Sequence, residues 1–229
     1  MQVKAIRKEH WETIYQTKQP NQVSWTQEVP VMSLAFIHQY QIPKTAAIID
    51  IGGGDSKLVD YLLKEGYSNI TVLDISEAAL ERAKKRLGPD ASKVKWLVQD
   101  VLDFHPTVQY DLWHDRAAFH FQTVPSQINQ YLKCVKKAVK GMVIVGTFSK
   151  DGPQKCSGLE VRQYDEQSMK QQFETAGFQN IECKREDHLT PSGAVQNFVF
   201  CSFTTKKGRF LEATLLKSNN LKVCLPYTL

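Results

Sequence analysis

The stretch from Ala46 to Asp55, AAIIDIGGGD, restricts what this chain can fold into more than any other. A short, β-branched and almost wholly apolar run suits a central strand buried on both faces of a parallel sheet. Gly52, Gly53 and Gly54 then remove every Cβ at the strand's carboxyl end, so that a ligand can approach the backbone. From Leu58 the pattern changes period, with Leu58, Val59, Leu62 and Leu63 recurring at helical spacing. Strand, glycine turn and helix together form the nucleotide-binding geometry of an open α/β sheet. A plain tight turn would show the same glycines, so the run needs support from elsewhere.

That support comes from the next two strands. Asn69 to Asp74 is a second strand ending in an acid, 22 positions after Gly52. An acid there can accept hydrogen bonds from both hydroxyls of a ribose lying over the glycine turn. Dinucleotides and S-adenosylmethionine (SAM) both use this arrangement. The dinucleotide pattern G-x-G-x-x-G is broken, because Lys57 stands where the third glycine belongs. Asp50, two residues before Gly52, completes D-x-G-x-G instead, which resembles the first motif of class I SAM-dependent methyltransferases. The third strand, Val94 to Val98, is followed by Gln99-Asp100-Val101, which resembles that family's adenine-reading step. The resemblance implies SAM as cofactor, held by Asp50, Gly52, Gly53, Gly54, Asp74, Ile75, Asp100 and Val101. It also implies an α/β fold: a doubly wound, seven-stranded, mostly parallel Rossmann-like sheet with an antiparallel last strand.

The remaining elements fit that frame. Residues 4–17 and 29–40 read as two helices, and the resemblance makes residues 1–45 an amino-terminal helical cap over a cofactor domain at 46–204. Trp11, Tyr15 and Trp25 of the cap are candidate substrate-binding residues; Trp11 and Trp25 can also be read as covering the sheet edge. Ser76 is the expected N-cap of the next helix, whose end carries Lys84-Lys85-Arg86, read as a solvated triplet favoured by the helix dipole. A helix over Ser126 to Lys140 is expected to end at Gly141, followed by a strand from Met142 to Phe148. After a further helix at Asp165 to Ala176, two strands joined across Leu189-Thr190-Pro191-Ser192-Gly193 close the sheet as a hairpin.

The least generic segment is YDLWHDRAAFHF, with its strand read as Tyr110 to His114. Asp115, Arg116 and His120 would then lie just past the strand, at the edge where such sheets bind ligands. We take these three as the candidate catalytic group, and His114 as structural. The alternative is an Asp115–Arg116 pair capping the next helix and a packed His120. The segment resembles the D-R-x-x-x-H loop of thiopurine- and tellurite-type small-molecule methyltransferases. The opening His-Trp-Glu-x-x-Tyr, with Trp25 ten residues on, resembles seven-strand lysine methyltransferases, although those carry Asp-Lys-Gly where this chain has Asp-Arg-Ala. A small-molecule acceptor is therefore the first expectation, and protein lysine or a non-catalytic SAM-binding role the alternatives.

Composition narrows the partners. The formal charge is +5, but five of the 29 basic residues and one of the 24 acids lie from Lys206 onward. The body before this basic tail (205–229) carries a net +1, too little for an extended nucleic-acid surface. No Pro-Pro pair occurs, so the Pro-Pro-Tyr motif of base-amino methylation is absent. No apolar run reaches the roughly 18 residues of a membrane span, the amino terminus lacks a signal-like stretch, and the expected location is cytoplasmic. Five scattered cysteines form no metal-type cluster and are expected as free thiols.

Overall fold

The computed structural model describes residues 2–205, and for residues 2–5 the backbone alone. The expected basic tail lies outside the described residues apart from its first residue. Seven strands form one sheet in the order β3-β2-β1-β4-β5-β9-β8. In chain order they are β1 (Ile48–Ile51), β2 (Ile70–Asp74), β3 (Val94–Val98), β4 (Tyr110–Arg116) and β5 (Val139–Phe148), then β8 (Phe178–Leu189) and β9 (Val195–Thr205). The first five run parallel, and β9 inserts antiparallel between β5 and β8. The two intervening strands, β6 (Lys155–Cys156) and β7 (Leu159–Glu160), form a separate small hairpin inside the loop that leaves β5.

Among the described residues six α-helices surround the sheet, with α1 lying against α4: α1 (Gln2–Thr17), α2 (Val31–Gln39), α3 (Leu58–Lys64), α4 (Glu77–Leu87), α5 (Pro125–Ala138) and α6 (Glu166–Thr175). Every residue of β1 and β2 is buried, as a strand with helices on both faces requires. Side chains alternate between the faces. Ile49, Ile51, Trp113, Val143 and Val145 pack with Ile128, Tyr131 and Val135 of α5 and Met169 and Phe173 of α6. Ile48, Leu112, Ile144 and Phe200 pack on the other face with Phe36 and Ile37 of α2 and Leu58 and Leu62 of α3.

Three expectations are corrected here. Gly141 does not cap α5, because the chain passes from helix to strand at Val139; Gly141 sits in β5, where a Cβ would lie 2.3 Å from the Asp111 carbonyl oxygen. The cysteines are not all free: Cys183 and Cys201 face each other across β8 and β9 and are disulfide-bonded, while Cys134 and Cys156 remain thiols. The basic triplet is not wholly solvated either. Arg86 turns back to the start of α3, bonding Asp60 at 2.8 and 2.9 Å and pairing with Asp55.

Candidate functional site

A cavity of about 510 Å³ opens at the carboxyl edge of β1, β2, β3 and β4, roofed by α1 and the segment that follows it. Its floor is the glycine turn. Gly52 adopts φ +62°, and a Cβ on Gly53 would lie 2.6 Å from Asp50 Oδ2 and 2.7 Å from Val72 Cγ1. The turn is held down by the amide N–H groups of Gly52 and Gly53, which both donate to the Leu73 carbonyl. Only the absence of side chains lets the backbone line the cavity at this point.

Asp74, at the end of β2, accepts a 2.8 Å hydrogen bond from the Ser76 amide through Oδ1. Burial pushes its carboxyl up to about 7, and the nearby Asp50 charge pushes the same way. At the end of β3, Asp100 accepts from the Leu102 amide at 2.9 Å through Oδ1. Its Oδ2 is shut off from solvent with no hydrogen-bond partner, the closest cation being Arg7 at 3.9 Å. Ile75 and Val101 also line the cavity.

The roof is tied to the domain by Glu12 of α1. Its carboxylate accepts from the Ser76 hydroxyl at 2.8 Å and from the Ala78 amide at 3.1 Å, at the N-terminus of α4. That position favours a negative charge and leaves fewer orphaned helix amides. Trp11, the residue before Glu12, and Tyr15, about one turn after it, meet Trp25: ring centroids are 5.6 Å apart for Trp11–Trp25 and 6.1 Å for Tyr15–Trp25. All three line the cavity. Tyr15 stands over Gly54 beside Asp74, and burial raises its phenol well above the ordinary value.

β4 divides the predicted catalytic group. The strand continues two residues beyond His114, to Arg116, so its alternation governs all three side chains. His114 and Arg116 face the cavity, and Asp115 faces the opposite way, toward α5. Asp115 is fully buried and saturated: it accepts from Tyr131 Oη at 2.6 Å and from the amides of Ala118 and Phe119 at 2.9 and 3.1 Å. It forms no Arg116 pair, and its carboxylate fixes the turn after β4. His120 is also fully buried, its ring against Phe121 and Phe148 with Nδ1 accepting from the Phe148 amide at 3.2 Å. Burial, reinforced by the Arg116 charge, lowers it to about 3, so it stays neutral. Neither residue is among those lining the cavity.

His114, set aside in the sequence, is the residue that the structure brings to the site. It sits opposite Asp50 in the β1–β4 register; its Nδ1 bonds Asp50 Oδ1 at 2.7 Å and its Nε2 bonds Ser33 Oγ at 2.8 Å. The two-residue period counted back from a correctly placed strand end would have found it. Arg116 donates to the Trp25 carbonyl at 2.9 Å and lies 4.7 Å over the Phe198 ring. Cys156, from β6, completes this end of the cavity, its thiol pushed up to about 11 by burial.

Comparison with known proteins agrees with this architecture. Residues 48–141 match the model of a methyltransferase domain. The chain is 23% identical over 149 residues to human EEF1A lysine methyltransferase 2, covering 58% of this chain and 63% of that protein. It is 34% identical over 87 residues to malonyl-(acyl-carrier protein) O-methyltransferase 1 of Ilyobacter polytropus, covering 38% of this chain and 31% of that protein. The chain thus spans less than two thirds of the length of the curated relatives it matches. Among solved structures, Burkholderia thailandensis 1,6-didemethyltoxoflavin-N1-methyltransferase, with bound 1,6-didemethyltoxoflavin and S-adenosylhomocysteine, superposes with a TM-score of 0.67 at 17% identity, over 90% of each chain. A structure from work on converting a disulfide bond into a thioacetal group during echinomycin biosynthesis gives a TM-score of 0.69 at 15% identity, over 93% of this chain and 98% of that one. With its seven-stranded sheet, in which the last described strand runs antiparallel to the first five, the chain has the fold of the class I SAM-dependent methyltransferases.

Proposed function

We propose that this protein is a SAM-dependent methyltransferase whose acceptor is a small molecule bound beneath the amino-terminal cap. The observation that carries the reading is one continuous cavity combining a glycine floor, two strand-end acids and a roof of aromatic rings. The donor set fits SAM. Asp74 is set to accept from the ribose hydroxyls, and the unpartnered Oδ2 of Asp100 from the exocyclic amine of adenine. Ile75 and Val101 supply apolar cover, and the Gly52–Gly54 turn admits the amino-acid portion, with Asp50 held beneath it by His114. When bound, SAM supplies an electrophilic methyl group on a sulfonium. The chain's contribution is to align acceptor and donor and exclude water, which accounts for much of the rate of an in-line displacement.

In this reading residues 1–45 act as the cap and 46–204 as the cofactor domain, with Trp11, Tyr15 and Trp25 contacting the acceptor. Arg116 takes a binding role and His114 a positioning one, in place of the catalytic roles expected of Asp115 and His120. Among the described residues no helix is long and apolar enough to cross a membrane. Protein lysine is the second reading, favoured by the resemblance to the human lysine methyltransferase. It is disfavoured by the Arg116 guanidinium that lines the acceptor end of the cavity, because a cation there repels an ammonium. Calorimetry with SAM, S-adenosylhomocysteine and NAD tests the cofactor, and NAD binding without either SAM species would overturn it. Labelled SAM offered to a cell extract tests the acceptor. Label in the small-molecule fraction supports the reading, and a labelled protein band that survives denaturation and maps to lysine overturns it.

A further inference from the structure

We propose that the acceptor enters this cavity already ionised, as a small organic anion gripped by the Arg116 guanidinium; the inference rests on the methyl-transfer reading above. One Nη of Arg116 is used, donating to the Trp25 carbonyl at 2.9 Å. Nε and the second Nη are hidden from solvent and have no hydrogen-bond partner. Among the described residues no carboxylate forms an ion pair with this guanidinium. A buried cation with two idle donors is costly unless something pairs with it. The groups that face it are Glu186 and His188 from β8, Cys156 from β6, Asp50 from β1 and His120 beyond β4. Burial draws Arg116 down to about 10, which still leaves it a cation at neutral pH. Nε and one Nη form the planar fork that receives a carboxylate or a thiolate.

The rest of the cavity makes the same demand. A neutral acceptor has to give up a proton, and the cavity groups beside Arg116 that could take one are committed, while Glu186, whose Oε2 has no partner, is not among the residues that line the cavity. Asp50 and His114 bond each other, and the other His114 nitrogen bonds Ser33. The Cys156 thiol is held protonated by burial. Asp74 and Asp100 stand at the far strand ends, and Asp115 and His120 lie inside the fold. An anion needs no base. Its thiolate sulfur or carboxylate oxygen forms a bond to the methyl carbon with its own lone pair. The carbon–sulfonium bond breaks, its electron pair stays on the donor sulfur, the two charges cancel and no proton moves.

The test uses the full chain saturated with S-adenosylhomocysteine and three ring-matched probes: thiophenolate, benzoate and benzylammonium, at about pH 8 where these charges hold in water. By calorimetry at least one of the two anions should bind, losing roughly tenfold or more in Arg116→Met and less in Arg116→Lys, which keeps the charge but not the fork. S-adenosylhomocysteine affinity should be the same in all three proteins, which also reports that each variant is folded. In the wild type, the pH profile of thiophenol methylation should hold its plateau below the thiol's own pKa, and Arg116→Met should move the fall upward. Tighter binding of benzylammonium than of both anions, binding of neither anion, or equal anion binding by Arg116→Met would overturn the proposal. Failure of the wild type to bind S-adenosylhomocysteine is a separate result, which would strike down the methyl-transfer reading itself.

Discussion

At the ends of β1, β2 and β3 the polar atoms are nearly all engaged, and the one left over, Oδ2 of the cavity-lining Asp100, is the atom proposed to accept from the adenine amine. At the ends of β4 and β8 the opposite holds. Arg116 Nε and Nη, and Glu186 Oε2, are shut away from water without partners. The first half is held by short-range contacts: Asp74 to Ser76, Asp100 to Leu102, Gly52 to Leu73 across neighbouring strands. The second is assembled from β4, β6, β8 and the segment around Trp25, which the sequence separates by up to 164 residues. A site that must hold one fixed cofactor can be rigid and complete in itself. A site proposed to select an acceptor keeps idle polar groups of both kinds.

The sharpest way to break this comparison is to move a catalytic role back to Asp115. Its carboxylate satisfies three buried donors. Leaving a buried donor unpaired costs about 1 to 3 kcal/mol, so Asp115→Ala should lose roughly 3 kcal/mol or more of unfolding free energy, read from denaturant midpoints at constant slope. A stable Asp115→Ala with turnover abolished would return it to the reaction. Burial raises this carboxyl to about 6 in the folded state, above its unfolded value. The native state therefore binds the extra proton, and this group's contribution to stability falls as pH rises from about 4 to about 6.

The two halves were unequally legible in the sequence, for a physical reason. The residues proposed to hold the cofactor occupy strand ends whose positions follow from one turn motif and a count along the chain, and apolar runs mark the strands plainly. Asp74, Asp100 and the glycines fall where that count puts them. The acceptor end depends on which face a side chain takes. Reading β4 as ending at His114 instead of Arg116 treated Asp115 as loop and hid the partnership of His114 with Asp50. Neither the cross-strand Cys183–Cys201 bond nor the grip of Glu12 on α4 leaves a periodic trace, because both join residues distant in the chain.

The glycine floor gives the next largest effect. Gly53→Ala has to push its methyl into Asp50 Oδ2 and Val72 Cγ1, both under 3 Å from the added carbon. Overpacking of that kind costs about 1 to 3 kcal/mol. It should appear as weaker S-adenosylhomocysteine binding together with a lower melting point, whereas loss confined to acceptor binding would mean that the floor belongs to the other half.

Asp74→Ala should weaken S-adenosylhomocysteine binding by about 1 to 3 kcal/mol through the lost charged acceptor, with the fold intact. The wild type adds a pH signature. Burial holds the Asp74 carboxyl near 7, and ribose hydroxyls donate to the ionised form. Affinity should therefore rise as pH climbs toward and through about 7, and Asp74→Asn should flatten that rise. Unchanged affinity in Asp74→Ala, or the same pH slope in Asp74→Asn, would remove Asp74 from the cofactor half.

The smallest effect concerns the roof that joins the halves. Glu12 is the strut by which α1 reaches α4, accepting from Ser76 Oγ and the Ala78 amide. Ser76 is itself the N-cap, bonding the Ala79 amide at 3.2 Å, so the helix start survives without Glu12. Glu12→Ala should then cost only about 1 kcal/mol, the scale of one capping contact with its dipole contribution. The consequence should fall on the roof. Trp11 and Tyr15 flank Glu12 on α1, and their edge-to-face contacts with Trp25 close the cavity. Loosening the strut should raise the acceptor KM more than it lowers SAM affinity, because Asp74 and Asp100 belong to the sheet and stay in place. Hydrogen exchange localised to α1 would report the loosening directly. Equal losses for cofactor and acceptor would instead mean that α1 is part of the cofactor half, and that the boundary between the two runs between Trp25 and Arg116.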